Sequence, residues 1–371
     1  MKVRENWIDW AKSIGIMLVI MGHYGMGDKI YGTFIYAFHM PLFFIVSGYL
    51  FTPPPPPQDN SYKQFVLKNV RSLIVPYFIF GIFSVLASAA LNFFSGGDYS
   101  VSFFMKSFAG LVLGVGYDTE YTVMNNMPLW FLPAMFFVRV ISGFLSRYKS
   151  RVKIAVCAAG LIIVVLLHRY GLFLPFSAGS ALLALPFFYA GAVAKRYGLL
   201  ENFRNGGMLR LVALFAVSAF VLYLSVYFNT GITDINSCKY NNMLLMFTGG
   251  ISGTSAVFCV CIAFDGIRSK FITAVSDGTL MIMSLHVYGI TVVWNFYKMI
   301  AGIAGPGGMD AFVSLPAAVV TAMMITAGLY YPIVFCRKRL PLLLGKAGKK
   351  RLVREKLLCP VDAKFFRSPD K

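Results

Sequence analysis

Apolar residues gather into ten long runs, near residues 8–26, 31–51, 73–94, 128–146, 152–167, 178–194, 208–228, 241–264, 277–300 and 312–336. Short clusters of charged, proline, glycine and amide residues separate them. The run lengths centre on the roughly 20 residues that a helix rising 1.5 Å per residue needs to cross about 30 Å of hydrocarbon. The pattern predicts an all-α integral membrane protein. The polar positions between the runs test the count, because a wrong number of spans would scramble the sidedness of the loops. With the N-terminus placed in the cytoplasm, the internal segments carry 27 Lys and Arg residues and the external ones carry five, with Lys12 and Arg139 inside spans. That asymmetry supports about ten transmembrane helices with both termini cytoplasmic. Residues 1–340 are expected to form one polytopic membrane domain, followed by a basic cytoplasmic tail over 341–371.

Two connections depart from short loops. After the second run comes TPPPPPQDNSYKQFVLKNVR, where consecutive prolines favour a stiff polyproline spacer before an amphipathic basic segment. Between the third and fourth runs, residues 95–127 include VSFFMKSFAGLVLGVGY. This stretch is long enough to dip into the membrane yet too mixed to span it, as a lid or re-entrant piece would be.

Composition agrees with the pattern. The chain of 371 residues is 58% hydrophobic and only 13% charged, about half the charge of a soluble domain, with a mean hydropathy of +0.69. A net charge of +19 would suggest nucleic acid in a soluble protein, but 12 of the 34 Lys and Arg residues lie in the last 35 positions. A tail facing anionic membrane lipid accounts for them, and no nucleic-acid partner is expected. The cysteines show no metal-ligand spacing and sit mostly inside apolar runs; Cys259 and Cys261 are expected to be small buried thiols, and no metal is expected. No small-residue cleavage site follows the first run, which is therefore kept as a mature helix.

Against this apolar background the first run, IDWAKSIGIMLVIMGHYG, carries three polar residues. On a helix, Asp9, Lys12 and His23 fall on one stripe: Lys12 to His23 is about three full turns and a rise of roughly 16 Å. The simple alternative pairs Asp9 with Lys12 at the interface and leaves His23 capping the helix end. Intramembrane ionisable groups nevertheless cost about 2.5–3.5 kcal/mol each and usually face a cavity or substrate path. A cation at one end and an imidazole at the other suit a tunnel that holds an anionic ligand near Lys12 while chemistry occurs at His23. The second run, IYAFHMPLFFIVSGYLF, places Pro41 two residues after His39. Pro41 cannot donate to the carbonyl of Ala37, and frees backbone polarity beside His39; a structural histidine bonded between helices is the other reading. Ser47 and Gly48 follow, with close helix contact expected at the glycine.

These segments, with RSLIVPY at 71–77, PLWFLPAMFF at 128–137, LPFFYAGAVAKR at 185–196 and SDGTLMIMSLH at 276–286, resemble the membrane-bound acyltransferase 3 family, in particular its fucose 4-O-acetylase-like branch. The resemblance implies that His23 is the catalytic base; His39 and Asp9 stand beside it as further candidate catalytic residues from the reading of the two runs. It implies that Lys12, Lys68 and Arg71 hold the phosphates of acetyl-CoA at the cytoplasmic mouth; lysine stands at the first position of that last pair, where the family has arginine. Ser47 and the Trp130 indole are oxyanion candidates and His286 a site-lining candidate. Met283 stands where many members have tyrosine. The implied activity moves an acetyl or other short acyl group from acyl-CoA to a hydroxyl of a surface polysaccharide or lipid-linked sugar at the bacterial cytoplasmic membrane. Two readings compete: a secondary transporter or exporter whose histidines relay protons, and a catalytically silent envelope scaffold. No internal repeat is found, which disfavours transporter folds built from duplicated halves.

Overall fold

The computed structural model describes residues 4–24, 30–55, 60–114, 122, 125–302 and 313–346. The described chain is helical, apart from an isolated bridge between Asp234 and Lys239. Its helices are α1 (Asn6–His23), α2 (Ile30–Tyr49), α3 (Ser61–Phe94), α4 (Val101–Leu113), α5 (Met127–Leu145), α6 (Ser150–Arg169), α7 (Ala178–Arg196), α8 (Leu199–Asn205), α9 (Gly207–Phe228), α10 (Met243–Ala263), α11 (Lys270–Asp277), α12 (Thr279–Ala301) and α13 (Leu315–Arg339). Each of the ten predicted runs is occupied by a helix. Among the described residues nine helices are long and apolar enough to cross a membrane. The first run forms α1, whose stripe of Asp9, Lys12 and His23 makes it more polar than the rest. The chain is a multi-pass membrane protein.

Two boundaries differ from the sequence expectation in an informative way. The basic segment before the third run is not a separate element. It continues into the span as one 34-residue helix, α3, carried past Pro76 by a π-turn at Val70–Ile74. The wider turn absorbs the geometry that a proline and its neighbours would otherwise break. At the other end, Leu344 is buried and the Lys346 ammonium lies 2.6 Å from an Asp277 oxygen, so ordered structure runs past residue 340. Residues 347–371, most of the expected tail, and Cys359 within it lie outside the described residues.

Helix α2 is the hub, packed against α1, α7 and α10. Small residues permit these approaches, as is usual where lipid removes the hydrophobic drive between helices. Gly48 on α2 sits directly against the Phe188 carbonyl of α7, and Gly191 on α7 sits against the Ile45 carbonyl of α2. Gly250 and Gly253 on α10 receive the rings of Phe187 and Phe38. Helix α2 stays helical through Pro41. Helices α6 and α9 bury few of their residues, and exposed Ile162, Leu166, Val217 and Phe220 give them an apolar outer surface suited to lipid.

Between α3 and α5, α4 packs along α3: the Tyr77 hydroxyl donates to the Leu111 carbonyl at 2.6 Å and the Leu111 side chain fills the space left by Gly81. Tyr77 and Gly81 lie in the interior half of α3, well below its end at Phe94. A 13-residue helix is too short to span. It enters alongside α3 and ends at depth, as a re-entrant piece does.

Candidate active site

The polar side chains of the bundle gather at two poles joined by α1. At its N-terminal pole, the guanidinium of Arg4 grips Asp9 through both oxygens, at 2.6 and 2.7 Å. The Ser276 hydroxyl donates to the same carboxylate at 2.7 Å. Asp9 is thereby buried and locked to α11. The alternative pairing of Asp9 with Lys12 does not form, because a bidentate fork from outside the helix satisfies the carboxylate better than a flexible ammonium three residues on. Asp277 makes a second knot: Arg4, Arg337 and Lys346 approach it at 3.2, 3.3 and 2.6 Å. Burial pushes the Asp277 carboxyl up, but Lys346, Arg4 and Arg337 outweigh it and hold the group below its usual range. With both acids claimed, Lys12 makes no ion pair or hydrogen bond among the described residues, although Asp9, Asp277 and Lys346 lie within electrostatic reach.

At the other pole three histidines converge from three helices. The ring of His23, the last residue of α1, lies 5.1 Å centroid to centroid from that of His286 on α12. Tyr36 bridges toward α2, with its ring 6.3 Å from His23 and 5.0 Å from His39. The tautomers of two rings follow from their partners. His39 Nδ1 is 2.8 Å from the Ile35 carbonyl and His286 Nδ1 is 2.8 Å from the Met283 carbonyl. Since a carbonyl only accepts, Nδ1 carries the proton in each neutral ring and Nε2 keeps its lone pair. The Nε2 of His286 is buried and meets no hydrogen-bond partner among the described residues. Such an atom is an unfilled proton acceptor at the centre of a membrane bundle.

The remaining sequence candidates occupy different places. Ser47 lies about 12 Å along α2 from His39 by helix rise and accepts from the Arg139 guanidinium at 3.3 Å, so it belongs to a third group and not to the histidines. Trp130 is buried at the start of α5 with its ring against Phe131. Lys68 and Arg71 are exposed on α3 at the π-turn. Asp9 is separated from His23 by about 21 Å of helix rise.

Several contributors escape a reading of isolated runs. Arg4 precedes the apolar pattern, and Ser276 and Asp277 come from a distant part of the chain. Tyr36 stood three residues before His39, on the same helix face, and that spacing was the available signal. Asp234 sits in the connection between α9 and α10, accepting from the Asn236 amide at 3.0 Å and the Ser237 hydroxyl at 2.7 Å. Its charge is within reach of His23 and Tyr36. The same connection walls an open depression of about 480 Å³ lined by His168, Ser237, Lys239, Tyr240 and Asn241. Among the described residues no grouping of three or more His, Cys, Asp or Glu side chains is arranged to hold a metal.

An unclaimed lysine near one end of α1 and a set of imidazoles at the other match what a group-transfer enzyme needs for a long anionic donor. Comparison with known families is decisive: residues 5–331 match the family model described as an acyltransferase domain. The chain belongs to the acyltransferase 3 family. No curated protein and no solved structure matches it. The matched region contains the three histidines together with Asp9, Lys12, Ser276 and Asp277, whereas Arg4, Arg337 and Lys346 lie outside it. Among the described residues, the rings of His23, His39 and His286 gather at this one pole, with Tyr36 between them.

Proposed function

We propose that this acyltransferase moves an acetyl group from cytoplasmic acetyl-CoA to a sugar hydroxyl, as a fucose 4-O-acetylase-like enzyme of the bacterial cytoplasmic membrane. The reading is carried by one observation: His23 stands beside His286, with its buried lone pair, on the same α1 stripe as the unclaimed Lys12. The separation of about 16 Å along the helix suits a donor whose phosphates rest near Lys12, Lys68 and Arg71 while its thioester reaches the imidazoles.

In this scheme the sugar hydroxyl loses its proton to an imidazole, His23 being the base, as its oxygen attacks the thioester carbonyl. The tetrahedral oxyanion collapses, the carbon–sulfur bond breaks, and the thiolate recovers the proton from the imidazolium. The products are an acetyl ester and free coenzyme A, with no net proton change. His286 and His39, with Nδ1 anchored to backbone, hold their rings toward His23 and Tyr36. The acceptor, a surface polysaccharide or a lipid-linked sugar, approaches past the connection that carries Asp234.

The test is transfer of radiolabel from acetyl-CoA to a panel of glycan acceptors by the detergent-purified protein. Acetylated product from the wild type and none from His23→Ala is the expected result. Full transfer by His23→Ala would sink the mechanism, and solute flux in vesicles without transfer would favour a transporter.

A further inference from the structure

Arg139 lies within a membrane-spanning helix, and its guanidinium is charged at every accessible pH. Its Nε donates to Asn69 Oδ1 at 2.7 Å and one terminal nitrogen donates to Ser47 Oγ at 3.3 Å. Both acceptors are neutral. The described carboxylates are engaged elsewhere: Asp9 and Asp277 with Arg4, Glu5 and Glu201 with Lys195, Asp265 with Arg204, and Asp98 and Asp234 with their own turns. Arg139 therefore has a fixed position, uncommitted N–H groups and no counter-charge among the described residues.

Its surroundings are built. Asn69 is buried, and its side-chain nitrogen donates to the Phe65 carbonyl at 2.8 Å, which turns its oxygen to the guanidinium. On one side of this contact α3 is clamped to α5 by the Tyr62 hydroxyl donating to the Val140 carbonyl at 3.1 Å and by Phe65 against Gly143. Asn69 immediately precedes the π-turn at Val70–Ile74, a distortion that recurs at functional sites. Lys68 and Arg71 flank it on the exposed side of the same turn. Three cations with no carboxylate partner among the described residues thus share one turn of α3 and the facing turn of α5.

We propose that Arg139, held in place by Asn69 and Ser47, is an anion-binding residue that takes a phosphate of the acyl donor together with Lys68 and Arg71. This rests on the donor being a coenzyme A thioester. The competing role is a strut between α2, α3 and α5 that meets no ligand.

The two roles separate by truncating the ligand. Binding of radiolabelled coenzyme A to the full-length protein in detergent is displaced either by unlabelled coenzyme A or by pantetheine, which has the same thiol arm without phosphates. Arg139→Gln is expected to weaken coenzyme A roughly ten- to a hundredfold, the loss of a charge-assisted contact, and to leave the pantetheine inhibition constant unchanged. Arg139→Lys keeps the charge but not the fork, and is expected to weaken coenzyme A less while again sparing pantetheine. Equal losses for both ligands, or no loss for either, would overturn the assignment. Failure of the wild type to bind coenzyme A would overturn the donor reading itself, and is recognised before any substitution is made.

Discussion

His23 and His286 come from helices at opposite ends of the chain, yet their rings lie 5.1 Å apart. Only one of them has its proton placed by the backbone: His286 donates from Nδ1 to the Met283 carbonyl and leaves Nε2 buried without a partner. In the proposed reaction these neighbouring imidazoles are expected to handle one proton as a unit. His23→Ala is expected to lower transfer by about 10² to 10⁴, the usual range for a lost general base. His286→Ala is expected to lower it by less, and the double variant to be no worse than His23→Ala alone. Initial rates of acetyl transfer for the three variants measure this. Losses that multiply would show that the rings act independently.

Lys12 offers a different signature. Because Arg4 and Ser276 take Asp9, and Lys346 and Arg337 help take Asp277, the ammonium of Lys12 has no acid to itself. A cation kept unclaimed beside two satisfied acids suits an anionic ligand. Lys12→Met is expected to raise the KM for acetyl-CoA about tenfold, the scale of one ionic hydrogen bond, with kcat changed far less. Kinetics at varied donor and saturating acceptor test the split; a fall in kcat at constant KM would place Lys12 in the chemistry and not in donor binding.

Much of this arrangement was readable in the chain, and the exceptions share a cause. The ten helices follow from apolar runs because burial in lipid leaves the backbone no alternative. The stripe on α1 follows from helix geometry alone. What periodicity could not deliver were partners drawn from elsewhere: the capture of Asp9 by Arg4 and Ser276, and of Ser47 and Asn69 by Arg139. For Asp9 the local pair with Lys12 was the simple alternative, and the fork of Arg4 from outside the helix displaced it. The unbroken α3 was missed for a related reason. Pro76 inside the third run would break a continuous helix, and a π-turn lets the preceding basic segment run into the span.

The knot at Asp277 makes stability depend on pH with a defined sign. Burial opposes ionisation, but three cations hold the folded carboxyl below its ordinary value near 3.8. A depressed folded pKa gives a contribution that is fully present above the unfolded value and is lost as pH falls through the folded one. Thermal stability in detergent is therefore expected to be lower in Asp277→Asn than in the wild type at neutral pH. The two should begin to converge as pH falls below the unfolded value near 3.8 and finish converging as it passes through the lower folded value, where the wild-type carboxyl takes up its proton. A gap that stays constant from pH 7 to pH 3 would mean that the charge is not what Asp277 contributes.

Gly48 decides whether the α2–α7 seam can close at all. A β-carbon there would fall on the Phe188 carbonyl, which is backbone and cannot rotate away, and one on Gly191 would fall on the Ile45 carbonyl. Serine and histidine neighbours on α2 invite a chemical reading of the glycine, but the contact is steric. Gly48→Ala is expected to destabilise the bundle by about 1–3 kcal/mol or more, the range for overpacking a tight interior, seen as a lower melting temperature in detergent. Tyr49, one residue on, bonds Glu201 at 3.0 Å and packs on Trp7 with ring centroids 5.2 Å apart. Displacing the seam should therefore also weaken the join between α2 and the start of α1. Gly160→Ala is the control, because a β-carbon there meets only the flexible side chain of Leu182 at 3.3 Å, and its melting temperature should stay near that of the wild type. Equal melting temperatures for Gly48→Ala and Gly160→Ala would show that the backbone approach at Gly48 is not limiting.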